Sequence, residues 1–469
     1  MKFSSAVTLL LSSLSLFAKG QENPRECVAV AEFDSSKDYF PEKSSVEMAE
    51  QFSIVYGNNY KIATNLHAGK SYLLYQCGTE IPSTLDQSSY EAVIPIPLTT
   101  FGLHYSTFVP FAELLGLRET QTAQAGYDDY FFSPCFNELI DTQQVALIAD
   151  LNNATQVEAA GVSKDVPFFM GVGSSSVFDT NIEISEYLDK TNLAVFEWIK
   201  FFGVFFNREK EANEVFEASK ERYECATENA QLLSADKAPT KIVWASYSTW
   251  GSGGFYSANA CPNYYCELAL ACGAELLIRD GPMNITEFVD FAKDADVWLY
   301  SSTNFETVLN DFADDLSELK AVQNNELYDI MGHGEDAWFN ERKVEPDALL
   351  EDFCHIVGSG NPMAPHVPTF FRQVDNPENS PGECNNLGSP YKHLGTFCVP
   401  MALENSPAVV VDKESEDMSS MEKDSHDDHG SHDHDSKDHD GHHSHDESAA
   451  VARAATGTAA VLAAAVLLA

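Results

Sequence analysis

One long, heavily charged helical pattern runs from about Asn207 to Leu233, and strands alternate with helices on both sides of it. A helix that is polar on most faces commonly bridges two units. If continuous, it would span roughly 40 Å at 1.5 Å per residue. Alternation on both flanks predicts an α/β fold with two lobes joined by this helix. Open α/β sheets bind ligands beyond the carboxyl ends of their strands, so the ligand cleft is expected between the lobes.

The first half has apolar runs that read as strands at residues 61–66, 71–78, 91–98 and 145–151, with a helix over 107–117 that stops at Gly116. Residues 165–173 run apolar into glycines, the pattern of a buried parallel strand meeting a loop. From Ile184 the pattern is helical, with Trp198, Phe201, Phe202, Phe205 and Phe206 near 3.6 spacing, an aromatic stripe read as core. Asn207 is expected to break that helix from the next. Beyond Pro239 come a strand (241–247), a helix (262–277), a helix (286–295), a strand (295–302) and a helix (347–357) with Pro346 in its first turn.

The two ends predict a chain exported from the cell. Lys2, the apolar run Val7–Phe17 and Ala18-Lys19-Gly20 have the form of a secretory signal. Ten cysteines are then expected to form disulfides, with Cys384 and Cys398 stapling the C-terminal loop region and two of Cys261, Cys266 and Cys272 able to pair. Sequons at Asn153 and Asn284 fit the same compartment. Residues 448–469 end in a short apolar run, which suits a GPI-type attachment signal; a single membrane span is the alternative.

Between them, residues 412–447 carry 14 acidic and 3 basic side chains with His426, His429, His432, His434, His439, His442, His443 and His445. Like-charge repulsion predicts a disordered stalk, a spacer that also offers weak, multi-site binding to divalent metal. The expected order is therefore signal 1–20, N-terminal lobe 21–206, connecting helix 207–233, C-terminal lobe 234–360, disulfide-containing segment 361–411, stalk 412–447 and anchor 448–469.

A formal charge of −44 argues against nucleic acid as a partner. No GxSxG nucleophile elbow occurs, and Gly251-Ser252-Gly253-Gly254 lacks the Lys-Ser/Thr of a phosphate loop. The loops after the expected strands offer Tyr105, Ser106, Thr107, Tyr127 and Tyr130 in the first lobe, and Trp250, Phe255, Tyr256, Trp338 and Arg342 in the second. Each aromatic reads equally as ligand contact or core, with the glycine-flanked Trp250 and Phe255 favouring contact. Arg342 either holds an anionic oxygen of a ligand or pairs with Glu341, Glu345 or Asp347. His333, between two glycines, reads as a turn residue, a lone histidine being poor evidence of ligation.

Over about residues 50–360 the order and spacing of YSTFVPFAELLGL, EWIKFFGVFFNREKEANEVFEASKERY, ANACPNYYCELALACGAELL, FAKDADVWLYS, LKAVQNNELYDIMG and AWFNERKVEPDALLEDF resemble the iron-siderophore and cobalamin (class III) periplasmic substrate-binding proteins. The resemblance implies a ligand carrier without catalytic activity, whose lobes move little on binding. It implies a ferric siderophore, of hydroxamate type, as ligand, with cobalamin as the alternative, for which His333 would be an axial ligand to the corrin cobalt. Bacterial members dock on an importer through one carboxylate per lobe, which by register falls here on Glu158 and Glu287. Acidic residues in a first turn also simply complement a helix dipole. Glycans on Asn153 and Asn284 would crowd both places, so importer docking is expected to be lost. The expectation is a eukaryotic surface receptor working with a surface ferric reductase or the endocytic machinery.

Overall fold

A computed structural model describes residues 22–401 apart from 128–130, 250–252, 259, 364–365, 377–382, 385, 388–394 and 396–397. The expected signal, stalk histidines and anchor, together with Tyr130 and Trp250, lie outside the described residues.

The N-terminal lobe opens with a four-stranded sheet: β1 (Phe52–Tyr56), β2 (Tyr60–Asn65), β3 (Lys70–Gln76) and β4 (Ala92–Ile96) in that order. Its first two pairs are antiparallel and the last is parallel. A second, all-parallel sheet follows, made of β5 (Phe101–Leu103), β6 (Gln121–Ala125), β7 (Ala146–Ile148), β8 (Phe168–Gly171) and β9 (Asn181–Ile184). Its order is β7-β6-β5-β8-β9, with α1 (Val109–Leu114), α2 (Pro134–Asp141) and α3 (Ala154–Ala159) as connections. All four β8 residues, Phe-Phe-Met-Gly, are buried, as a parallel strand covered on both faces requires.

Helical structure resumes later than the spacing predicts, because Ile184 ends a strand. The helices are α4 (Asn192–Phe196) and α5 (Trp198–Val204). The aromatic stripe is core: Trp198, Phe201, Phe202, Phe205 and Phe206 are buried with Phe52, Phe101, Phe111 and Phe169. Asn207 adopts φ 55°, a left-handed conformation that asparagine tolerates, and the chain turns there into α6 (Glu209–Ser234). Its Oδ1 accepts from the buried Lys61 ammonium at 2.7 Å, and its Nδ2 donates to Gln76 Oε1 at 2.9 Å. The linking helix is thereby tied to the first sheet.

In the C-terminal lobe, β10 (Lys241–Ser248) is central. β11 (Phe255–Ala258) pairs with it antiparallel, and β12 (Glu275–Leu277) and β13 (Val297–Tyr300) pair with it in parallel. β14 (Leu327–Asp329) and β15 (Arg372–Gln373) complete the sheet. The helices are α7 (Tyr264–Ala271), α8 (Ile285–Ala292), the short α9 (Phe305–Asp311), α10 (Ala313–Leu316) and α11 (Lys320–Gln323), then α12 (Glu335–Asn340) and α13 (Pro346–Ile356). Glu275–Leu277, expected as the end of a helix, instead form β12 after Gly273 turns the chain with φ 66°. The period of two sorts the core. Ile242, Trp244, Val297 and Leu299 face one cluster, while Val243, Ala245, Trp298 and Tyr300 face the other.

Five disulfides form: Cys27–Cys77, Cys135–Cys384, Cys225–Cys398, Cys261–Cys266 and Cys272–Cys354. Cys384 and Cys398 staple the C-terminal segment, each to a distant part of the body. After β15 the chain is bonded to α2 of the N-terminal lobe through Cys135 and then to α6 through Cys225. Along this strap the Leu387 carbonyl accepts from Arg118 at 2.7 Å and the Val399 carbonyl from Asn229 at 3.0 Å. Among the described residues, no helix is long and apolar enough to cross a membrane.

Candidate functional site between the lobes

The carboxyl ends of β5 and β8 place His104, Tyr105 and Gly171 together. His104 Nδ1 accepts from the Gly171 N–H at 3.3 Å, and the His104 ring stacks on Tyr105 with centroids 4.2 Å apart. Burial pushes His104 down to about 4, which keeps this acceptor neutral. The Tyr105 ring lies so close to Gly171 that a β-carbon there would sit 1.9 Å from it. Ser106 and Thr107 follow in a single 3-10 turn, both half-buried. Tyr105 and Tyr127 are exposed at the ends of their strands.

Opposite them, the segment after β14 reaches across to the first lobe. Asn340 and Glu341 share a small cavity with Ser106, Val109, Pro110, Phe131, Phe132 and Ser133. The Lys343 ammonium pairs with Glu186 at 2.7 Å, and Val344 joins the N-terminal core. Phe132 and His333 stack across the seam with centroids 6.1 Å apart and planes 9° from parallel. A second bond between lobes runs from Glu267 on α7, which accepts from the backbone N–H of Asn192 at 2.7 Å and from its side chain at 2.8 Å.

Arg342 lies in the middle of the crossing segment. Of the two readings open to it, pairing with Glu341, Glu345 or Asp347 is not what the structure shows: Arg342 makes no ion pair among the described residues. Asp347 instead accepts from Ser219 and Arg222 of α6. The Arg342 guanidinium rests 4.2 Å from the Tyr264 ring centroid and 5.1 Å from that of Trp338. Its Nε, the Tyr264 hydroxyl and the Trp338 indole N–H are buried without a hydrogen bond of normal geometry to the described residues. Burial raises the Tyr264 pKa, so this hydroxyl stays protonated. His333 Nδ1 is likewise buried and has no hydrogen-bond partner among the described residues.

Two aromatics offered as cleft faces are core. Tyr256 is fully buried on β11, stacked on Phe288 at 4.1 Å. Trp338 is fully buried against Trp244 and Phe371, so its ring face is taken by protein and only the edge of the cluster around Arg342 concerns the seam. Phe255 is half-buried opposite Ser248 in the β10–β11 pair. Tyr264 went unrecognised because it lies inside a helical pattern; its position as the first residue after the Asn263 cap was the available signal.

Glu158 sits in the second turn of α3, whereas Glu287 is the third residue of α8 and closes a capping box with Asn284. The first-turn explanation therefore suits Glu287 and not Glu158. A larger cavity lies away from the seam, between α6 and α13 and beside the strap, lined in part by Glu351, His355, His366 and Val399. Among the described residues, no group of three or more His, Cys, Asp or Glu side chains is placed to hold a metal ion.

No family model matches the chain. It is 28% identical over 187 residues to an uncharacterised lipoprotein of Methanocaldococcus jannaschii, a match covering 38% of this chain and 42% of that protein. The chain thus spans less than half the length of this curated relative. Among solved structures it is similar to the TroA-like periplasmic binding protein FepB of Veillonella parvula (TM-score 0.43, 16% identity, 59% of this chain and 95% of that one). It is also similar to a periplasmic heme-binding protein of Pseudomonas aeruginosa (TM-score 0.42, 11% identity, 57% and 95%). A third is the siderophore-binding protein BauB, solved with two molecules of acinetobactin and ferric iron (TM-score 0.42, 15% identity, 57% and 95%). The chain is a mixed α/β protein of two lobes. Parallel and antiparallel pairing occur in both lobes, which one long helix links.

Proposed function

We propose that the chain is a non-catalytic surface receptor that captures a ferric siderophore of hydroxamate type between its lobes for iron uptake. One observation carries the reading. In a chain of net charge −44, the Arg342 guanidinium has no carboxylate partner among the described residues, and its Nε, the Tyr264 hydroxyl and the Trp338 indole N–H make no hydrogen bond of normal geometry with them. Buried donors left unpaired cost stability, and a ligand rich in acceptor oxygens would satisfy them. Iron in a hydroxamate cage is already fully coordinated, so the protein's share is shape and polar contact. Tethering outside the cell by a GPI-type anchor, and delivery to a reductase or to endocytosis, belong to the same proposal.

Cobalamin is the second reading, favoured by the unpartnered Nδ1 of His333 at the seam. Burial lowers the His333 pKa and keeps its imidazole neutral, the form that ligates a metal. Fluorescence titration of the full chain with ferric hydroxamates, ferric catecholates, cobalamin and free divalent metal separates these. Saturable quenching by a ferric hydroxamate that Arg342→Ala weakens would support the receptor. Cobalamin binding that His333→Ala abolishes would replace it. A response to divalent metal alone, lost when residues 412–447 are deleted, would make the stalk the active part.

A further inference from the structure

Asn153-Ala154-Thr155 and Asn284-Ile285-Thr286 are the chain's two Asn-X-Ser/Thr sequons, and the topology gives them equivalent places. In the first lobe α3 carries the chain from the edge strand β7 past β6 and β5 to β8. In the second, α8 carries it from β12 past β10 to β13. Each asparagine caps its crossover helix at the carboxyl-end side of its sheet.

Both stand beside loops of that side. Asn152 Oδ1 accepts from Ser175 at 3.0 Å, in the loop that follows β8. Met283 exchanges two 2.8 Å backbone hydrogen bonds with Tyr256 of β11. The two sequons therefore flank the carboxyl-end loops, one on each lobe.

Their side chains divide their labour. Asn153 Oδ1 accepts from the N–H groups of Thr155 at 3.1 Å and Gln156 at 3.3 Å. Asn284 Oδ1 accepts from the Glu287 N–H at 3.0 Å. In neither residue does Nδ2 donate to a described acceptor, and the threonine hydroxyls are exposed and equally uncommitted. Glycosyl transfer uses only the nitrogen. A bond forms between Nδ2 and the sugar C1, the C1–oxygen bond to a lipid-diphosphate carrier breaks, and one amide proton leaves. The carbonyl Oδ1 remains, so the cap survives.

We infer that both asparagines carry N-linked glycans, and that the pair screens the carboxyl-end rims of the two lobes from protein partners while small molecules still pass. The glycan assignment does not depend on which ligand the seam takes.

The test starts with the full chain isolated from the cells that make it. Peptide-N-glycosidase digestion in isotopic water should convert both Asn153 and Asn284 to tagged aspartate; finding either untagged would overturn the inference. Thr155→Ala and Thr286→Ala remove the sequons and leave the caps. These variants should lose glycan mass and melt as the enzymatically deglycosylated chain does. A markedly lower midpoint would show that the threonines act structurally, against this account. An antibody fragment raised against the two rims should bind the double variant at least tenfold more tightly than the native protein. Equal binding would overturn the screening.

Discussion

The two lobes use their arginines in opposite ways. Arg118 of the N-terminal lobe is nearly buried; it donates to Glu113 at 2.7 Å and to the Leu387 carbonyl of the strap, and Glu113 also accepts from Ser133 at 2.7 Å. Arg342 of the C-terminal lobe has aromatic rings in place of anions. A paired buried arginine is structural, since its partner's charge is already answered. An unpaired one, surrounded by other idle donors, retains its capacity for a ligand. On the proposed function, the N-terminal face of the seam is a positioning surface and the C-terminal face would supply the binding chemistry.

Substituting each arginine separates these roles. Arg118→Ala should destabilise the fold by roughly 3–5 kcal/mol, because it strands the buried Glu113 carboxylate. Denaturant unfolding reads this directly, and an unchanged midpoint would erase the contrast. Cutting the strap from the first lobe with Cys135→Ser and Cys384→Ser should cost about 2–5 kcal/mol. In the thermal melt that loss should appear with Cys225–Cys398 still closed. Arg342→Ala should leave the melt within a degree or two, yet weaken ligand binding by about 10–100-fold, the worth of a charge-assisted hydrogen bond of roughly 1.5–3 kcal/mol. Equal affinity in that variant would move the binding chemistry elsewhere.

The smallest effect is on pH dependence, where the lobes again differ in sign. His104 is depressed to about 4 by burial, so stability is lost as pH falls from about 6.5 towards 4, where the unfolded chain takes up a proton that the fold refuses. His366 is the reverse case. Burial alone would lower it, but hydrogen bonds to Asp352 at 2.5 Å and to Glu351 raise it to about 9. Its contribution is complete below about 6.5 and is lost as pH rises through 9. Melting curves across pH should show His104→Gln flattening the acid arm and His366→Gln the alkaline arm. A single variant that flattened both would show that the two sites are coupled.

Much of the architecture was legible because periodicity encodes burial. The stripe from Trp198 to Phe206, the left-handed break at Asn207 and the length of α6 all follow from local pattern. The site was less legible. Tyr256 and Trp338 have the same amphipathic chemistry as a ligand platform, and only their packing against Phe288 and Trp244 assigns them to the core. α12 has six residues, too few to display a helical period around Trp338. The unpaired state of Arg342 depends on Asp347 being claimed by Ser219 and Arg222, more than a hundred residues away in sequence. The strap disulfides span 249 and 173 residues, and composition holds no record of such pairings.

The second of those disulfides also decides how the molecule bears load. Cys398 lies three residues before Met401, and the Met401 N–H itself donates to Asn229 on α6 at 2.7 Å. A pull along the chain from beyond Met401 reaches Cys225 in the linking helix before it reaches either sheet. Tension applied there is delivered to the axle of the molecule through Cys225, ahead of both sheets.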